Sequence, residues 1–370
     1  MHQNRIAAAQ KLMQANGLDA LLILTHDDYI YFFGEDRFQP RAVIPQKGPP
    51  IIICSRGEEK EIREGLGTQD VRVFATVGQQ MHDVVGIMQD LQSSLGRPPT
   101  VGVQFWFETP AVLLQLFQQV NPQVKVVDSA PVMDALRMVK SPQELALMQQ
   151  VARIAERGMA AAIQAIKPGV TENEVAAEAI YALRKTGASG TAVPIFVNSG
   201  VRSLWLHGTA TAKVIERGDL VVIGLVPVFG GYCVDLTRVA IVGQPTDAQR
   251  RLFDTYLAAR QAAIDAVRPG VPVSELDRAA EAVIKEAGFG EYYIKGIGHG
   301  IGLRFEETPA PTIHPKNASV KLQEGMTIAV GHAILAVPGI GGVRLEDTGL
   351  VTAIGWQGIT DYPKELFIRT

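Results

Sequence analysis

The chain has 370 residues, of which 47% are hydrophobic and 20% are charged, and its net charge is −3. This composition excludes a disordered or collagen-like protein. The near balance of charges gives no electrostatic reason to expect a nucleic acid or an anionic membrane surface as partner. Because a single hydrophobic core rarely grows to this length, we expect two domains.

The N-terminal segment predicts an amphipathic helix followed by an apolar strand, and Lys11 and Asp19 interrupt any signal-peptide core. Residues 220–234 carry no charge but are too short and too broken by Pro227 to span a bilayer. We therefore expect a cytoplasmic protein without a membrane partner. Only two cysteines occur, Cys54 and Cys233, and we expect both to be buried thiols rather than a disulfide framework.

Residues 18–127 alternate short β-rich runs with helical patterns, which predicts an α/β domain with a mixed or parallel sheet. The periodicity lapses after Asp128, and Ser141 with Glu144 then opens a long helix through a capping box. We expect domains at residues 1–132 and 133–370. The same pairing of a hydroxyl residue with an acid or amide three positions on predicts helix starts at Thr171, Thr246 and Ser274.

The second domain contains an internal repeat. Residues 167–170 (KPGV) match 268–271 (RPGV), and 218–224 (GDLVVIG) match 325–331 (GMTIAVG). Each of the segments 218–224 and 325–331 is followed by another predicted strand with a carboxylate, which is Asp235 in one half and Glu346 in the other. Two matches in the same order predict two related α+β halves with a site at their junction.

The two carboxylates have apolar neighbours, and a buried unpaired carboxylate is costly, so a cation should face them. The candidates are a metal ion, a substrate cation, or Arg238 and Arg344 as structural partners. Residues 296–302 (GIGHGIG) lack the last glycine or the lysine of a nucleotide-binding loop. Their glycines indicate backbone that passes close to another segment, with His299 in the middle.

Five segments resemble the creatinase, aminopeptidase P and prolidase family: residues 136–148 (LRMVKSPQELALM), 206–211 (LHGTAT), 218–239 (GDLVVIGLVPVFGGYCVDLTRV), 296–303 (GIGHGIGL) and 342–351 (GVRLEDTGLV). The resemblance implies a creatinase-type N-terminal domain and a pita-bread C-terminal domain with a pseudo-two-fold repeat. It also implies a homodimer.

In the family's metallopeptidases, two aspartates, a histidine and two glutamates hold two metal ions. The resemblance carries three of these ligands onto Asp235, His299 and Glu346, whereas Gly224 and Gly331 stand where the other aspartate and glutamate are expected. Three remaining ligands allow at most one divalent transition metal (Mn, Co, Zn or Fe), or none. We expect the two missing side chains to enlarge the cavity.

The comparison with the family pattern gives further candidate residues for the site. His207 aligns with the family histidine that handles the substrate or its proton, and Glu306 stands where the peptidases have a second proton-handling histidine. Asp235, Glu346 and Arg344 are candidate substrate-binding residues as well. His332 could replace a lost ligand, but neighbouring strand residues point to opposite faces, so we expect it to point away from the site.

Three hypotheses for the function follow. The first is a hydrolase of peptide or other C–N bonds, related to Xaa-Pro peptidases, with at most one metal ion and a short-peptide or small-molecule substrate. The second is a metal-independent, creatinase-like amidinohydrolase that uses His207 as base and binds a cationic substrate through the acids. The third is a non-catalytic pita-bread protein that binds a ligand.

Overall fold

The computed structural model describes residues 2–37, 40–66, 70–107 and 109–370. The chain divides into two compact units, Met1–Arg137 and Met138–Thr370. Arg137 closes the first unit, and its guanidinium donates to Asp27 and Asp28 at 2.8 and 2.7 Å in the interior of that unit.

The helices of the first unit are α1 (His2–Ala15), α2 (His26–Phe33), α3 (Glu59–Leu66), α4 (Val77–Leu95), α5 (Ala111–Val120) and α6 (Ala130–Arg137). Its strands are β1 (Ala20–Ile23), β2 (Arg41–Pro45), β3 (Ile51–Ser55), β4 (Val71–Phe74), β5 (Thr100–Val103) and β6 (Lys125–Asp128). They form a sheet in the order β4-β3-β2-β1-β5-β6, in which β1 runs antiparallel to β2 and parallel to β5. The predicted α/β domain with a mixed sheet is confirmed.

The helices of the second unit are α7 (Pro142–Ala165), α8 (Glu172–Lys185), α9 (Asp247–Asp265) and α10 (Ser274–Glu286), with 3₁₀ turns at Gly200–Leu204, Gly290–Tyr292 and Pro315–Ser319. Its strands are β7 (Gly190–Thr191), β8 (Phe196–Ser199), β9 (Leu220–Leu225), β10 (Pro227–Phe229), β11 (Tyr232–Cys233), β12 (Leu236–Val242), β13 (Tyr293–Ile294), β14 (Gly298–Gly300), β15 (Thr327–Val330), β16 (Ile334–Val337), β17 (Gly341–Val343), β18 (Asp347–Thr352), β19 (Gly355–Gly358) and β20 (Phe367–Arg369). The larger sheets have the orders β20-β12-β9-β8 and β14-β15-β18-β19, and the smaller ones are β11-β10-β7 and β13-β16-β17.

All four predicted helix starts are confirmed, and three of them have the predicted reciprocal cap. Ser141, Thr171 and Thr246 each accept a hydrogen bond from the main-chain N–H three residues on, and the Glu or Gln there accepts one from the cap. These reciprocal bonds satisfy N–H groups that the first helical turn leaves open.

The predicted helix start at Ser274 is confirmed, but the predicted capping pair of Ser274 with Asp277 is wrong. Ser274 is already the first residue of α10, and Val273 precedes it without a side-chain cap. The acid three residues later, Asp277, accepts hydrogen bonds from the N–H groups of Gly296 and Ile297 at 2.9 and 3.0 Å. Its carboxylate therefore anchors the glycine-rich segment rather than the helix cap.

The internal repeat is a structural repeat. Each half packs two helices together and follows them with an antiparallel strand pair, α7, α8, β9 and β12 in the first half and α9, α10, β15 and β18 in the second. The repeated turn glycines share a conformation, with φ of +92° at Gly169 and +87° at Gly270. Apolar residues of both strand pairs, such as Val222, Val239 and Ile328, belong to one buried core.

Cys54 and Cys233 are buried free thiols, as expected. Within the described ranges, no helix combines the length and apolar character that crossing a membrane requires.

Candidate functional site

Asp235 and Glu346 lie side by side where the two halves of the second unit meet. Thr237 and Glu346 exchange two main-chain hydrogen bonds of 3.1 Å, which join β12 to the segment that precedes β18. The hydroxyl of Thr348 accepts from the Asp235 N–H at 2.8 Å and donates to the Asp235 carbonyl at 3.1 Å. These bonds between the halves hold both carboxylates in the interior, where each is 1% exposed or less.

His299 reaches the same point from β14. The strand pairs with β15, and the imidazole is buried with Nε2 3.3 Å from Oε1 of Glu346. Nδ1 lies 2.9 Å from the carbonyl of Gly300, so it is the donor nitrogen and Nε2 faces the carboxylates. A Cβ on Gly300 would lie 2.6 Å from the carbonyl oxygens of Glu307 and Thr308, which confirms that the glycines allow a close approach of backbone.

Arg344 supplies a cation to the carboxylates from within the protein. Its Nη2 lies 2.6 Å from Oε2 of Glu346 and 3.8 Å from Oδ2 of Asp235. Arg238, the other candidate partner, pairs instead with Asp347 at 2.8 Å. One oxygen of Glu346 is therefore occupied by Arg344, and the other, Oε1, is turned towards His299.

The expectation that His332 points away from the site is wrong. Strand β15 ends at Val330, and Gly331 takes a φ of +117°, so the alternation of strand side chains does not continue to His332. The buried imidazole places Nδ1 3.4 Å from Oε1 of Glu346 and 2.8 Å from Nη2 of Arg344. His332 is thus part of the cluster that also contains Asp235, His299 and Glu346.

The two glycines do not enlarge a cavity, contrary to expectation. A Cβ built on Gly331 would lie 1.8 Å from the carbonyl oxygen of Leu345, so main chain fills that direction. A Cβ on Gly224 would lie 3.1 Å from both Phe196 Cδ2 and Thr237 Oγ1. Side chains therefore occupy the space beside Gly224, and backbone occupies the space beside Gly331.

The two predicted catalytic residues lie around His332. Oε1 of Glu306 is 3.4 Å from Nε2 of His332, and Glu306 is largely buried. The His207 ring is centred 5.7 Å from the His332 ring, and its side chain is exposed to solvent. Partial desolvation and the Arg344 charge lower the pKa of His207, so its imidazole is neutral near pH 7.

The buried groups perturb each other's protonation strongly. Burial and the adjacent Glu346 carboxylate raise the pKa of Asp235 well above its usual range. Burial alone would raise the pKa of Glu346, but Arg344 and His332 hold it well below its usual range. Burial likewise opposes the charged form of His299, yet Glu346 raises its pKa to about 9. Burial and the Arg344 charge lower the pKa of His332 to about 4.

With His299 neutral, three buried polar atoms at the centre of the cluster have no hydrogen-bond partner among the residues that the structure describes: Oδ2 of Asp235, Nε2 of His299 and Oε1 of Glu346. Buried polar atoms are almost always satisfied, so a group of three that face one another indicates a place for a ligand. Asp235, His299, His332 and Glu346 each offer one ligand atom, and these four atoms lie within 4.8 Å of one another. All four side chains can therefore contact a single ion.

Two residues that position this cluster were not singled out from the sequence. Thr348 locks the backbone of Asp235, and the ring of Phe305 is centred 5.4 Å from the His299 ring. The only signal for Thr348 was its place in the repeated carboxylate strand. No sequence pattern marked Phe305 as a neighbour of His299.

Comparisons with known proteins agree over the whole chain. Residues 146–353 match Metallopeptidase family M24, and residues 5–139 match the Creatinase/Prolidase N-terminal domain. The chain is 31% identical to the Xaa-Pro dipeptidase of Pyrococcus furiosus, over 98% of this chain and 99% of that protein.

Solved structures give the same result. The prolidase from Pyrococcus horikoshii OT3 has a TM-score of 0.87 and 29% identity, covering 98% of this chain and 99% of that one. The Xaa-Pro dipeptidase from Bacillus anthracis also has a TM-score of 0.87, at 27% identity and full coverage of both chains. The expected combination of a creatinase-type N-terminal domain with a pita-bread domain is confirmed. The chain belongs to metallopeptidase family M24 and carries a creatinase/prolidase N-terminal domain.

Proposed function

We propose that this protein is a hydrolase of short peptides of the Xaa-Pro type and that it uses a single divalent transition metal ion. Relatives that match nearly the full chain are named Xaa-Pro dipeptidases, which supports the substrate class. The observation that carries the metal is the set of three unpartnered buried atoms on Asp235, His299 and Glu346. Carboxylate and imidazole donors of this kind suit Mn, Fe, Co or Zn.

The residues fit one ion and do not fit two. A second ion needs ligands from the positions of Gly224 and Gly331, which have no side chains to offer. The Leu345 carbonyl oxygen lies 1.8 Å from the place where a Cβ on Gly331 would be. A side chain at position 331 therefore has no room to supply a ligand. Two carboxylates and neutral imidazoles together carry a charge of −2, of which Arg344 offsets one unit, so the donor set does not have the negative charge that a second divalent cation would need.

When bound, such an ion polarises a substrate carbonyl and lowers the pKa of a bound water. The chain's own residues hold and orient the donors. Arg344 fixes the Glu346 carboxylate through Oε2 and leaves Oε1 free, and Thr348 fixes the backbone of Asp235. His207, neutral and exposed beside the cluster, is placed to accept a proton from the substrate or to hold it.

The neutral imidazole of His207 also supports the second candidate, a metal-independent amidinohydrolase with His207 as general base. Against it stands Arg344, whose guanidinium already pairs with Glu346 at 2.6 Å. A guanidinium-bearing substrate would have to compete with this intramolecular partner for the same carboxylate.

The test combines metal analysis with a substrate screen on protein purified without chelator. We expect about one transition metal ion per chain, from the donor count, and hydrolysis of dipeptides such as Ala-Pro that stops with EDTA and in Glu346→Gln. Ala-Gly and creatine serve as control substrates. Two ions per chain would overturn the single-ion proposal.

The same screen separates the other hypotheses. Turnover of an amidine that persists in EDTA and is lost in His207→Ala would instead establish the metal-independent hydrolase. Binding of a screened compound without any turnover would establish the non-catalytic protein. The homodimer stays a prediction, and light scattering after size-exclusion chromatography measures it directly.

A further inference from the structure

His332 is a buried imidazole whose position departs from the five-ligand pattern of the family. Its ring is centred 4.8 Å from that of His299, and the two planes are nearly perpendicular, at 89°. Oε1 of Glu346 lies between them, 3.3 Å from Nε2 of His299 and 3.4 Å from Nδ1 of His332. The two rings thus direct one nitrogen each at the same carboxylate oxygen.

The backbone around His332 is held by several hydrogen bonds. The N–H groups of Gly331 and His332 both donate to the carbonyl of Ile297, at 2.7 and 3.2 Å. The Tyr256 hydroxyl lies on the other side, 2.7 Å from the carbonyl of Gly331. With Gly331 fixed in a conformation that only glycine adopts easily, the imidazole is presented to the cluster by a rigid loop.

The outer nitrogen of His332 has a carboxylate partner. Oε1 of Glu306 lies 3.4 Å from Nε2, which favours the tautomer with the proton on Nε2. Arg344 donates to Nδ1 at 2.8 Å, so Nδ1 carries the lone pair and faces the cluster. A carboxylate behind an imidazole in this way is the usual support of a metal-ligating histidine.

We propose that His332 is a protein ligand of the single metal ion, together with Asp235, His299 and Glu346, and that Glu306 positions it. The inference rests on the proposed function for the presence of that ion. A bound ion would displace Nη2 of Arg344 from Nδ1, and Arg344 would stay anchored through its other nitrogens, which donate to Oε2 of Glu346 at 3.1 Å and to the Leu206 carbonyl at 3.2 Å. His332, the residue after Gly331, therefore supplies a donor in place of the glutamate that the family pattern has at position 331.

The proposed set of donor atoms also limits which metal ions suit the site. Two imidazoles and two carboxylates disfavour Mg²⁺ and Ca²⁺, which prefer oxygen ligands throughout. Four protein donors fill a tetrahedral ion, so a fifth position for water requires an ion that accepts five or six ligands. Mn²⁺, Fe²⁺ and Co²⁺ meet this condition better than Zn²⁺ does.

The experiment titrates the chelator-treated, dialysed full chain with Co²⁺ and records affinity by calorimetry and coordination by the visible absorption of the ion. We expect one Co²⁺ per chain in the native protein and a loss of affinity of about 100-fold or more in His332→Ala, with about 10-fold in Glu306→Gln. His207→Ala is the matched control, because its ring lies beside His332 without belonging to the donor set, and it should retain native affinity.

Native Co²⁺ affinity and an unchanged spectrum in His332→Ala would overturn the proposal. If His332→Ala fails to show native circular dichroism, His332→Gln provides the same comparison with a side chain of similar length. Co²⁺ binding that depends on His332 but comes without hydrolysis of any Xaa-Pro dipeptide refutes the proposed substrate and leaves this inference standing. Metal-dependent hydrolysis with native Co²⁺ affinity in His332→Ala does the reverse.

Discussion

Replacing Gly331 by alanine tests whether the backbone itself excludes a ligand at this position. Gly331 has a φ of +117°, and its Cβ would lie 1.8 Å from the Leu345 carbonyl oxygen and 2.8 Å from Cα of Glu346. The conformation alone costs a side-chain-bearing residue about 1–3 kcal/mol. Displacing packed main chain costs about 1–3 kcal/mol more. We therefore expect Gly331→Ala to reduce the free energy of unfolding by about 2–6 kcal/mol.

Gly224→Ala is the matched control, since Gly224 is the other position at which the family resemblance predicts a metal ligand. Its φ lies outside the left-handed region, and its Cβ would approach only side-chain atoms, at 3.1 Å from Phe196 and Thr237. Small shifts of those side chains relieve the contact, so the loss should be about 1 kcal/mol or less.

The assay is equilibrium urea unfolding of both variants, followed by circular dichroism in EDTA so that metal binding does not contribute. Equal stability of the two variants would refute the steric reasoning. The same reasoning predicts that Gly331→Glu does not create a second metal site, and metal analysis of that variant checks this.

Two further predictions concern charge in the interior of the second unit. In metal-free protein, the folded pKa of His299 is about 9 against an ordinary value of 6.5, so its stabilisation is complete below pH 6.5 and is lost as the pH rises through 9. Urea unfolding at pH 6 and pH 10 should differ by about 3 kcal/mol more in the native protein than in His299→Gln, and an equal difference in both would contradict this. Asp347 pairs with the buried Arg238 and Arg260 at 2.8 and 2.5 Å. Asp347→Asn should therefore lower the free energy of unfolding by about 3–5 kcal/mol. The control is Glu275→Gln, which breaks an exposed pair with Arg278 and should change the free energy of unfolding by less than about 1 kcal/mol. Similar losses in both variants would show that burial does not set the cost of breaking an ion pair.

Local patterns in the sequence predicted the features that depend on near neighbours along the chain. The capping residues at Ser141, Thr171 and Thr246 and the repeated strand pairs fall in this class. At Ser274 the helix begins as predicted, but the capping pair fails because Asp277, three positions on, has a tertiary partner in the glycine-rich segment. A cap motif states what a residue can bond, and the fold decides what it does bond.

In the candidate site, too, some positions could be predicted from the sequence and others could not. The repeat, together with the family resemblance, predicted that Asp235 and Glu346 lie at one junction, because equivalent strands of two related halves end at equivalent places. The position of His332 could not be read in this way. Alternation along β15 predicted the wrong face, since the strand stops one residue before Gly331 turns the backbone.

The sequence by itself determined the two-domain architecture and the internal repeat, because residue type and spacing carry both, and the family resemblance predicted that Gly224 and Gly331 stand in place of two metal ligands. The tertiary structure decided what surrounds the two glycines and which residues contact Glu346. Packing closed the space beside both glycines, and contacts between segments far apart in the chain brought Arg344 and His332 to Glu346. These outcomes depend on backbone conformation at one residue and on atoms that meet only after folding, which no periodicity in the sequence records.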